Sequence, residues 1–221
     1  MHTEEEMVIR RELVETCRSM NSLGINKGTS GNVSSRYREG FLISPTGVAY
    51  DVLAPDMVVY VKMDGTYDGT IQPSSEWFFH RDIYLERSDL DAIVHTHSTY
   101  ATALAILGME IPAIHYSIAA VGGPNIRCAK YATFGTQELA DNAMVALKGR
   151  RACLLEHHGV IAAHRTMKRA LSVAVLVEQL ATQYLICREV REPPVLDDEE
   201  IKRVIGKYQS YGHQVLSQTT E

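Results

Sequence analysis

The sequence has few cysteines, and none of them has a spacing that would make it structural. Its four cysteines (Cys17, Cys128, Cys153 and Cys187) are far apart among 221 residues, and no Cys-x-x-Cys pair occurs. Neither a cysteine-ligated zinc site nor a small disulfide-bonded scaffold is indicated. A reducing compartment, the cytoplasm, is the expected location.

Long apolar runs are also missing. The longest covers residues 171–177, contains Ser172 and is closed by Glu178, whereas a bilayer span needs roughly 20 apolar residues. The first six residues include three glutamates and no lysine or arginine, whereas a secretory signal begins with basic residues. We therefore expect neither a membrane span nor export.

The chain has no excess of basic residues either. Lysine and arginine number 22 against 27 aspartates and glutamates, giving a net charge of −5, and they are scattered among acidic residues. Because nucleic-acid binding requires clustered positive charge, no nucleic-acid partner is expected. The hydrophobic fraction of 45% and the charged fraction of 22% are those of an ordinary folded domain.

Helical and strand patterns alternate along the chain. Apolar residues recur at three- and four-residue spacings over 7–23 and predict a helix that ends at Gly24. Further helices are predicted to begin at 74–76, to cover 100–107, 136–148 and 166–190, and to follow an Asp197-x-x-Glu200 capping box, while strands are predicted at 41–44, 58–61, 91–97 and 152–155. We interpret residues 1–221 as a single domain of the α/β class with three α/β/α layers.

Histidines provide the first candidate site. His95 and His97 share one face of the strand predicted at 91–97, roughly 6 to 7 Å apart. His157 and His158 follow the strand at 152–155, and only one of two neighbours is able to face the same ion. Three imidazoles with an open fourth position are typical of a catalytic zinc site.

A polar segment at residues 74–76 offers an acid–base group. Ser74 and Ser75 suit either capping hydroxyls or phosphate ligands at the start of a helix. Glu76 is typical of a first-turn charge that complements the helix dipole, but beside a divalent ion it becomes a candidate general acid–base. The loop at 28–32 lacks the features of a P-loop and of a dinucleotide fingerprint, which favours a small phosphate ester over a nucleotide.

Five ordered motifs together resemble the class II aldolase/adducin family, over about residues 13–212. They are Gly28-Thr29-Ser30-Gly31-Asn32-Val33-Ser34, Ser44-Pro45-Thr46-Gly47, Pro73-Ser74-Ser75-Glu76, His95-Thr96-His97 and His158-Gly159. Within that family, segments 111–116 and 131–136 look most like the branch that cleaves L-fuculose 1-phosphate.

The resemblance implies a mostly antiparallel central sheet and a C4 homotetramer with active sites at subunit interfaces. It implies that His95, His97 and His158 bind Zn²⁺, with Mn²⁺ or Co²⁺ as alternatives, and that Glu76 is both fourth ligand and acid–base. The site residues that it further implies are a phosphate pocket of Thr29, Asn32, Thr46, Gly47, Ser74 and Ser75, a catalytic Tyr116 offered to the neighbouring subunit together with Tyr211, and an aldehyde pocket containing Phe134 and Tyr208.

The implied reaction is the reversible cleavage of a ketose 1-phosphate into dihydroxyacetone phosphate and an aldehyde. A divalent ion stabilises the enediolate charge, Tyr116 takes the C4 hydroxyl proton and Glu76 protonates the enediolate. Glu156 and Tyr208 replace an amide and a phenylalanine of the L-fuculose 1-phosphate branch, so aldolases of 5-deoxyribulose or 5-(methylthio)ribulose 1-phosphate are a close alternative. An L-ribulose-5-phosphate 4-epimerase, a decarboxylase of phosphorylated 3-oxo acids and a noncatalytic adducin-like module are further alternatives.

Overall fold

The computed structural model describes residues 2–210, and within this range seven strands form one sheet. In chain order the strands are β1 (Asn32–Tyr37), β2 (Gly40–Ile43), β3 (Val59–Lys62), β4 (Ala92–Thr96), β5 (Cys128–Ala129), β6 (Ala152–Leu155) and β7 (Gly159–His164). They lie side by side in the order β3-β2-β1-β4-β7-β6-β5. The β5–β6 pair is parallel and the other pairs are antiparallel, so the sheet is mixed but mostly antiparallel.

Helices cover both faces of this sheet. They are α1 (Glu4–Ser22), α2 (Trp77–Glu86), α3 (Thr99–Ile106), α4 (Gln137–Leu147), α5 (Met167–Val190) and α6 (Asp198–Ser210), with short 3-10 helices at Pro55–Met57 and Tyr116–Val121. Helices α1, α3 and α5 contribute to one hydrophobic core, and α2 and α4 contribute to a second core on the opposite face. The predicted α/β/α layering is therefore confirmed.

Strand β4 shows how the sheet separates the two cores. Ala92 and Val94 lie in the core beneath α1, α3 and α5, whereas Ile93 lies in the core beneath α2 and α4. His95 has the same parity as Ile93, and its ring meets the edge of Phe79 in α2 at a centroid distance of 5.5 Å. The second layer thus covers the face on which His95 lies.

By length and composition alone, helix α5 could cross a membrane. The sequence did not predict this, because the uninterrupted apolar run at 171–177 is short. Its buried residues recur every three or four positions, as in Ala170, Val173, Ala174 and Val177. They belong to the core between α5 and the sheet. This pattern is typical of a core helix in a globular domain.

The start of α2 differs from the sequence-based prediction. The helix begins at Trp77, Glu76 occupies the N-cap position, and no side chain caps the helix. Ser74 Oγ accepts a hydrogen bond only from the Glu76 amide in the preceding turn, at 3.4 Å. The interpretation of Ser74 and Ser75 as helix caps, with Glu76 in the first turn, is therefore wrong. The chain enters the helix one residue later, and the Glu76 carboxylate lies beside His95 and His158.

Candidate metal centre

Three histidines converge where β4 ends and β7 begins. The antiparallel register pairs Thr96 with Val160, which places the residues after β4 beside the residues before β7. The rings of His95, His97 and His158 contact one another with centroids 4.8 to 4.9 Å apart. One nitrogen from each ring lies within 4.8 Å of the other two.

The β6–β7 loop determines which of its two histidines joins this cluster. His157 has a φ of +54°, in the left-handed region that is uncommon for residues with side chains. This turn directs His158 towards His95 and His97, whereas His157 lines the cleft and meets the ring edge of Tyr131 at 5.9 Å. The structure thus selects His158 from the adjacent pair.

The hydrogen bond at the far side of His95 determines its tautomer. Its Nδ1 lies 2.8 Å from the carbonyl oxygen of Val160. A carbonyl only accepts, so Nδ1 carries the proton and Nε2 of the neutral ring has a free lone pair. That Nε2 lies 2.9 Å from Nε2 of His97.

Glu76 completes the cluster with both carboxylate oxygens. Its Oε2 lies 3.2 Å from His95 Nε2, and its Oε1 lies 3.2 Å from His158 Nε2. Burial alone would raise the pKa of Glu76, but the two imidazoles and a hydrogen bond from Asn32 outweigh it and lower the pKa to about 2. Glu76 is therefore ionised at neutral pH.

The two more accessible histidines of the cluster are held neutral. Burial, reinforced by His95 and His158, lowers the pKa of His97 to about 3. Burial and His95 likewise lower the pKa of His158 to about 4, although Glu76 opposes this shift. Neutral imidazoles are the form that binds metal ions.

A chain of buried hydrogen bonds orients Glu76 from behind. Asn32 Nδ2 donates to Glu76 Oε2 at 2.9 Å, so Asn32 Oδ1 accepts from His80 Nε2 at 2.5 Å. The other ring nitrogen of His80 then accepts from Ser34 Oγ, which in turn accepts from the Tyr84 hydroxyl, at 2.6 and 2.7 Å. His80 is fully buried, so this chain lies within the protein interior.

The donor set fits a divalent cation. Buried Glu76 Oε1 accepts no hydrogen bond from the described residues, although it faces His158. A zinc ion with bonds of about 2.0–2.1 Å separates tetrahedral ligands by about 3.3 Å, close to the 2.9 and 3.2 Å observed among the facing atoms. Three imidazoles and one carboxylate suit zinc, and also manganese or cobalt.

A cleft of about 330 Å³ opens beside the three histidines. All six residues expected to bind phosphate line it: Thr29, Asn32, Thr46, Gly47, Ser74 and Ser75. They offer hydroxyl and amide donors, and none of the described lining residues is lysine or arginine. The Asn32 side chain already holds Glu76 and His80, which leaves one amide hydrogen for a ligand.

Two loops bring these donors together. A backbone bridge joins Pro45 to Pro73, and the Thr46 amide donates to the Gln72 carbonyl at 3.1 Å. The Ser74 amide donates to the Ser44 carbonyl at 3.0 Å. The Thr46 and Ser74 side chains consequently face the same cleft.

A further part of the cleft lining, next to Ser75, is more apolar. Tyr131, Ala132 and Phe134 line it, and the rings of Tyr131 and Phe134 are largely exposed. Glu156 Oε2 accepts a hydrogen bond from the Tyr131 amide at 2.8 Å and so ties this segment to the β6–β7 loop. The sequence predicted Phe134 in the aldehyde pocket but assigned no role to Tyr131, although both residues belong to segment 131–136, which is part of the resemblance.

The other predicted aromatic residues lie elsewhere in the chain. Tyr116 is 54% exposed and lines a separate cavity of about 820 Å³ together with Tyr208. Neither residue lines the metal cleft of its own chain. Tyr211 lies outside the described residues.

Comparison with known proteins agrees with this geometry. A family model, described as the class II aldolase and adducin N-terminal domain, matches residues 11–185. The chain belongs to this family. It is 48% identical over 206 residues to the 5-methylthioribulose-1-phosphate/5-deoxyribulose-1-phosphate aldolase of Rhodospirillum rubrum, covering 93% of each chain. It is 47% identical over 209 residues to the L-fuculose phosphate aldolase of Escherichia coli strain K12, covering 94% of this chain and 97% of that protein.

A solved structure extends the match to three dimensions. An L-fuculose 1-phosphate aldolase superposes with a TM-score of 0.89 at 37% identity, covering 95% of this chain and 98% of that one. The protein is thus a class II aldolase, a metal-dependent aldehyde-lyase. The two groups of relatives are similar to the chain to nearly the same degree, so sequence identity does not distinguish between their substrates.

Proposed function

We propose that this class II aldolase cleaves a ketose 1-phosphate into dihydroxyacetone phosphate and an aldehyde, with one Zn²⁺ held by His95, His97, His158 and Glu76. The observation that carries the proposal is the position of these histidines and Glu76 beside a cleft lined with hydroxyl and amide donors. When bound, the ion supplies positive charge that stabilises negative charge developing on the ketone-derived oxygens.

The chain's own residues would bind and orient the substrate. The loops at 28–32, 44–47 and 73–75 suit the phosphate, because their hydroxyl side chains and the Asn32 side-chain amide converge on the cleft. Ionised Glu76 lies at the inner end of the cleft, where it is placed to carry a proton to and from C3. Tyr116 would handle the proton of the C4 hydroxyl from a neighbouring subunit of a homotetramer.

The L-fuculose 1-phosphate reaction is the first candidate. Aldolases of 5-deoxyribulose or 5-(methylthio)ribulose 1-phosphate are the second, supported by the Rhodospirillum relative and by the apolar edge formed by Tyr131, Ala132 and Phe134. The substrates of both groups end in an apolar methyl or methylthio group. A Phe134→Ala variant should lose most activity on the substrate with the longest apolar tail, about 10- to 200-fold.

A screen of ketose 1-phosphates, coupled to detection of dihydroxyacetone phosphate, tests the reaction. Turnover of at least one member of either group is expected, and absence of dihydroxyacetone phosphate from every member would refute the proposal. The relative kcat/KM values of L-fuculose 1-phosphate and 5-(methylthio)ribulose 1-phosphate decide between the two candidates.

Adjacent histidines offer a matched test of the metal site. His158→Ala should lose stoichiometric zinc, whereas His157→Ala should retain it, since only His158 joins the cluster. Elemental analysis of the purified proteins measures both. Equal zinc content in the two variants would contradict the ligand assignment.

The role of Glu76 is tested by exchange of the C3 hydrogen of dihydroxyacetone phosphate in deuterated water, without aldehyde. Glu76→Gln preserves size but removes the titratable group, so turnover and exchange should fall by about 10² to 10⁴. NMR follows the exchange, and elemental analysis verifies the metal content. Wild-type exchange in a folded, zinc-loaded variant would show that another group transfers the proton.

A further inference from the structure

A second cavity, of about 640 Å³, lies at the other end of the central strands. It includes His164 at the end of β7, whereas the metal centre adjoins Gly159 at the start of β7. Five residue steps along an extended strand separate these ends by roughly 16 Å. The cavity is therefore distinct from the metal cleft.

Three guanidinium groups line this cavity, from Arg151, Arg165 and Arg169. One acidic residue, Asp89, is also present, but Arg87 already binds both of its carboxylate oxygens at 2.8 and 2.9 Å. Among the described residues, neither Arg165 nor Arg169 has an acidic partner within ion-pair distance. The cavity thus concentrates uncompensated positive charge in a chain whose net charge is −5.

The position of two of these arginines strengthens this conclusion. Arg165 precedes the N-cap of α5 and Arg169 lies near the helix start, where the first turn contains no acidic residue. The N-terminus of a helix carries a partial positive charge, so basic residues there are unfavourable unless an anion compensates them. The same end of α5 directs free backbone N–H groups outward.

His164 supplies an independent indication of a ligand. It is only 9% exposed, and its Nδ1 accepts a hydrogen bond from the Arg165 amide at 2.7 Å. Burial and the neighbouring Arg151, Arg169 and Arg165 lower the pKa of His164 to about 4, so the ring is neutral and its proton is on Nε2. Within residues 2–210, this Nε2 has no hydrogen-bond partner, although the side chain lines the cavity.

We propose that this cavity is a second anion site, which binds the phosphate group of a small phosphate ester. Guanidinium forks and an imidazole N–H match the oxygens of a tetrahedral dianion, with which they form charge-assisted hydrogen bonds. Val173, Leu176 and Ile205 form an apolar part of the wall and suit a carbon skeleton. The site is independent of the proposed aldolase substrate pocket.

Calorimetric titration of the full chain with inorganic phosphate tests the proposal. We compare the wild type with Arg165→Gln/Arg169→Gln, both exposed residues whose replacement leaves the core intact. The matched control is Arg11→Gln/Lys148→Gln, which removes the same charge at exposed positions that do not line this cavity. Ser75→Ala identifies the phosphate that binds in the metal cleft.

Two classes of phosphate site are expected in the wild type and in the charge control. The Arg165→Gln/Arg169→Gln variant should lose one class, with Kd raised about tenfold or more, while Ser75→Ala should affect only the other. Aldolase turnover by the arginine variant should stay at the wild-type level. A single class in the wild type, or an isotherm unaffected by the arginine variant, would overturn the proposal. A changed oligomeric state without loss of phosphate binding would also overturn it, because the cavity would then hold acidic groups of a second copy.

Discussion

Among single residues, Asn32 is held by hydrogen bonds at both ends of its side-chain amide. Its amide nitrogen donates to Glu76 and its amide oxygen accepts from His80, so one side chain links the carboxylate to the buried chain that ends at Tyr84. Removing a buried partner leaves both neighbours unsatisfied. The orientation of Glu76 therefore depends on a residue that sequence reasoning assigned to phosphate.

We expect Asn32→Ala to lower the free energy of unfolding by about 1–3 kcal/mol, measured by urea denaturation, because two buried polar groups lose their partner. Turnover should fall as well, since the carboxylate is no longer fixed. Tyr84→Phe is the control, because it removes only the hydroxyl at the far end of the chain. Turnover in Tyr84→Phe should remain near wild type; equal losses in both variants would contradict a specific role for Asn32.

The sequence identified most of these residues but not their mutual contacts. His95 and His97 follow from the alternation of a strand, which depends only on local geometry. His158 could not be separated from His157 by this logic, because the positive φ of His157 arises from the loop that joins β6 to β7. The hydrogen bonds of Asn32 and His80 join residues 48 positions apart, and no local pattern contains that information.

Among the secondary-structure elements, the β4–β7 pair depends on Gly159. A Cβ atom at this glycine would lie 2.5 Å from the Thr96 carbonyl oxygen and 3.0 Å from the His97 ring. Any side chain would therefore separate the end of β4 from the start of β7. The same displacement would move two of the three metal-site histidines apart.

We expect Gly159→Ala to lower the free energy of unfolding by about 1–3 kcal/mol, as overpacking does, and to weaken zinc binding. Gly206→Ala in α6 is the control, because no described atom outside its own helix backbone lies within 4 Å of the added Cβ. The free energy of unfolding of Gly206→Ala should rise by about 0.5–1 kcal/mol, because alanine has the higher helix propensity. Thermal unfolding and zinc titration measure both, and unchanged zinc affinity in Gly159→Ala would contradict the steric argument.

The elements that local patterns predicted are those with strong hydrophobic periodicity. The predicted helices at 136–148 and 166–190 agree with α4 and α5 to within a residue or two. Strand β1 was missed because its sequence, Asn-Val-Ser-Ser-Arg-Tyr, is polar and is stabilised by pairing with β2 and β4. Strand β7 was missed because it directly follows the histidine loop and contains two alanines, which have low strand propensity.

At the scale of the whole molecule, buried neutral histidines make stability depend on pH. Burial is the main reason why the pKa of His80 and of His97 is lowered to about 3, far below the value of 6.5. Between pH 6.5 and 4, the unfolded chain binds protons that the folded chain does not. Stability must therefore fall as the pH is lowered through this range.

In metal-free protein near pH 5, we expect His80 and His97 alone to account for the uptake of about two protons on unfolding, a slope of about 2.7 kcal/mol per pH unit. The lowered pKa values of His158 and His164 add to this slope. Urea denaturation of the chelator-treated protein at several pH values measures this slope. A free energy of unfolding that is constant from pH 6.5 to 4.5 would contradict the neutral state of these histidines.

The exposed position of Tyr116, away from the metal cleft of its own chain, leads to a prediction about assembly. If neighbouring subunits share each site, Glu76→Gln and Tyr116→Phe subunits should complement one another when they are dissociated and reassembled together. Random mixing in a symmetric ring gives about a quarter of the sites both intact groups. Activity measurements and light scattering on the mixture test this, and a mixture as inactive as its parents would contradict a shared site.

The absence of lysine and arginine from the described lining of the metal cleft also affects how substrate is captured. Hydroxyl and amide dipoles act only at contact distance, whereas the chain as a whole carries a charge of −5. Apart from the ion proposed at the inner end of the cleft, a phosphorylated sugar therefore approaches against the weak repulsive field of the chain, without electrostatic steering by basic side chains at the site. Because dissolved ions screen that field, substrate association should become faster as ionic strength rises, the reverse of the behaviour of enzymes that attract phosphates with a basic funnel.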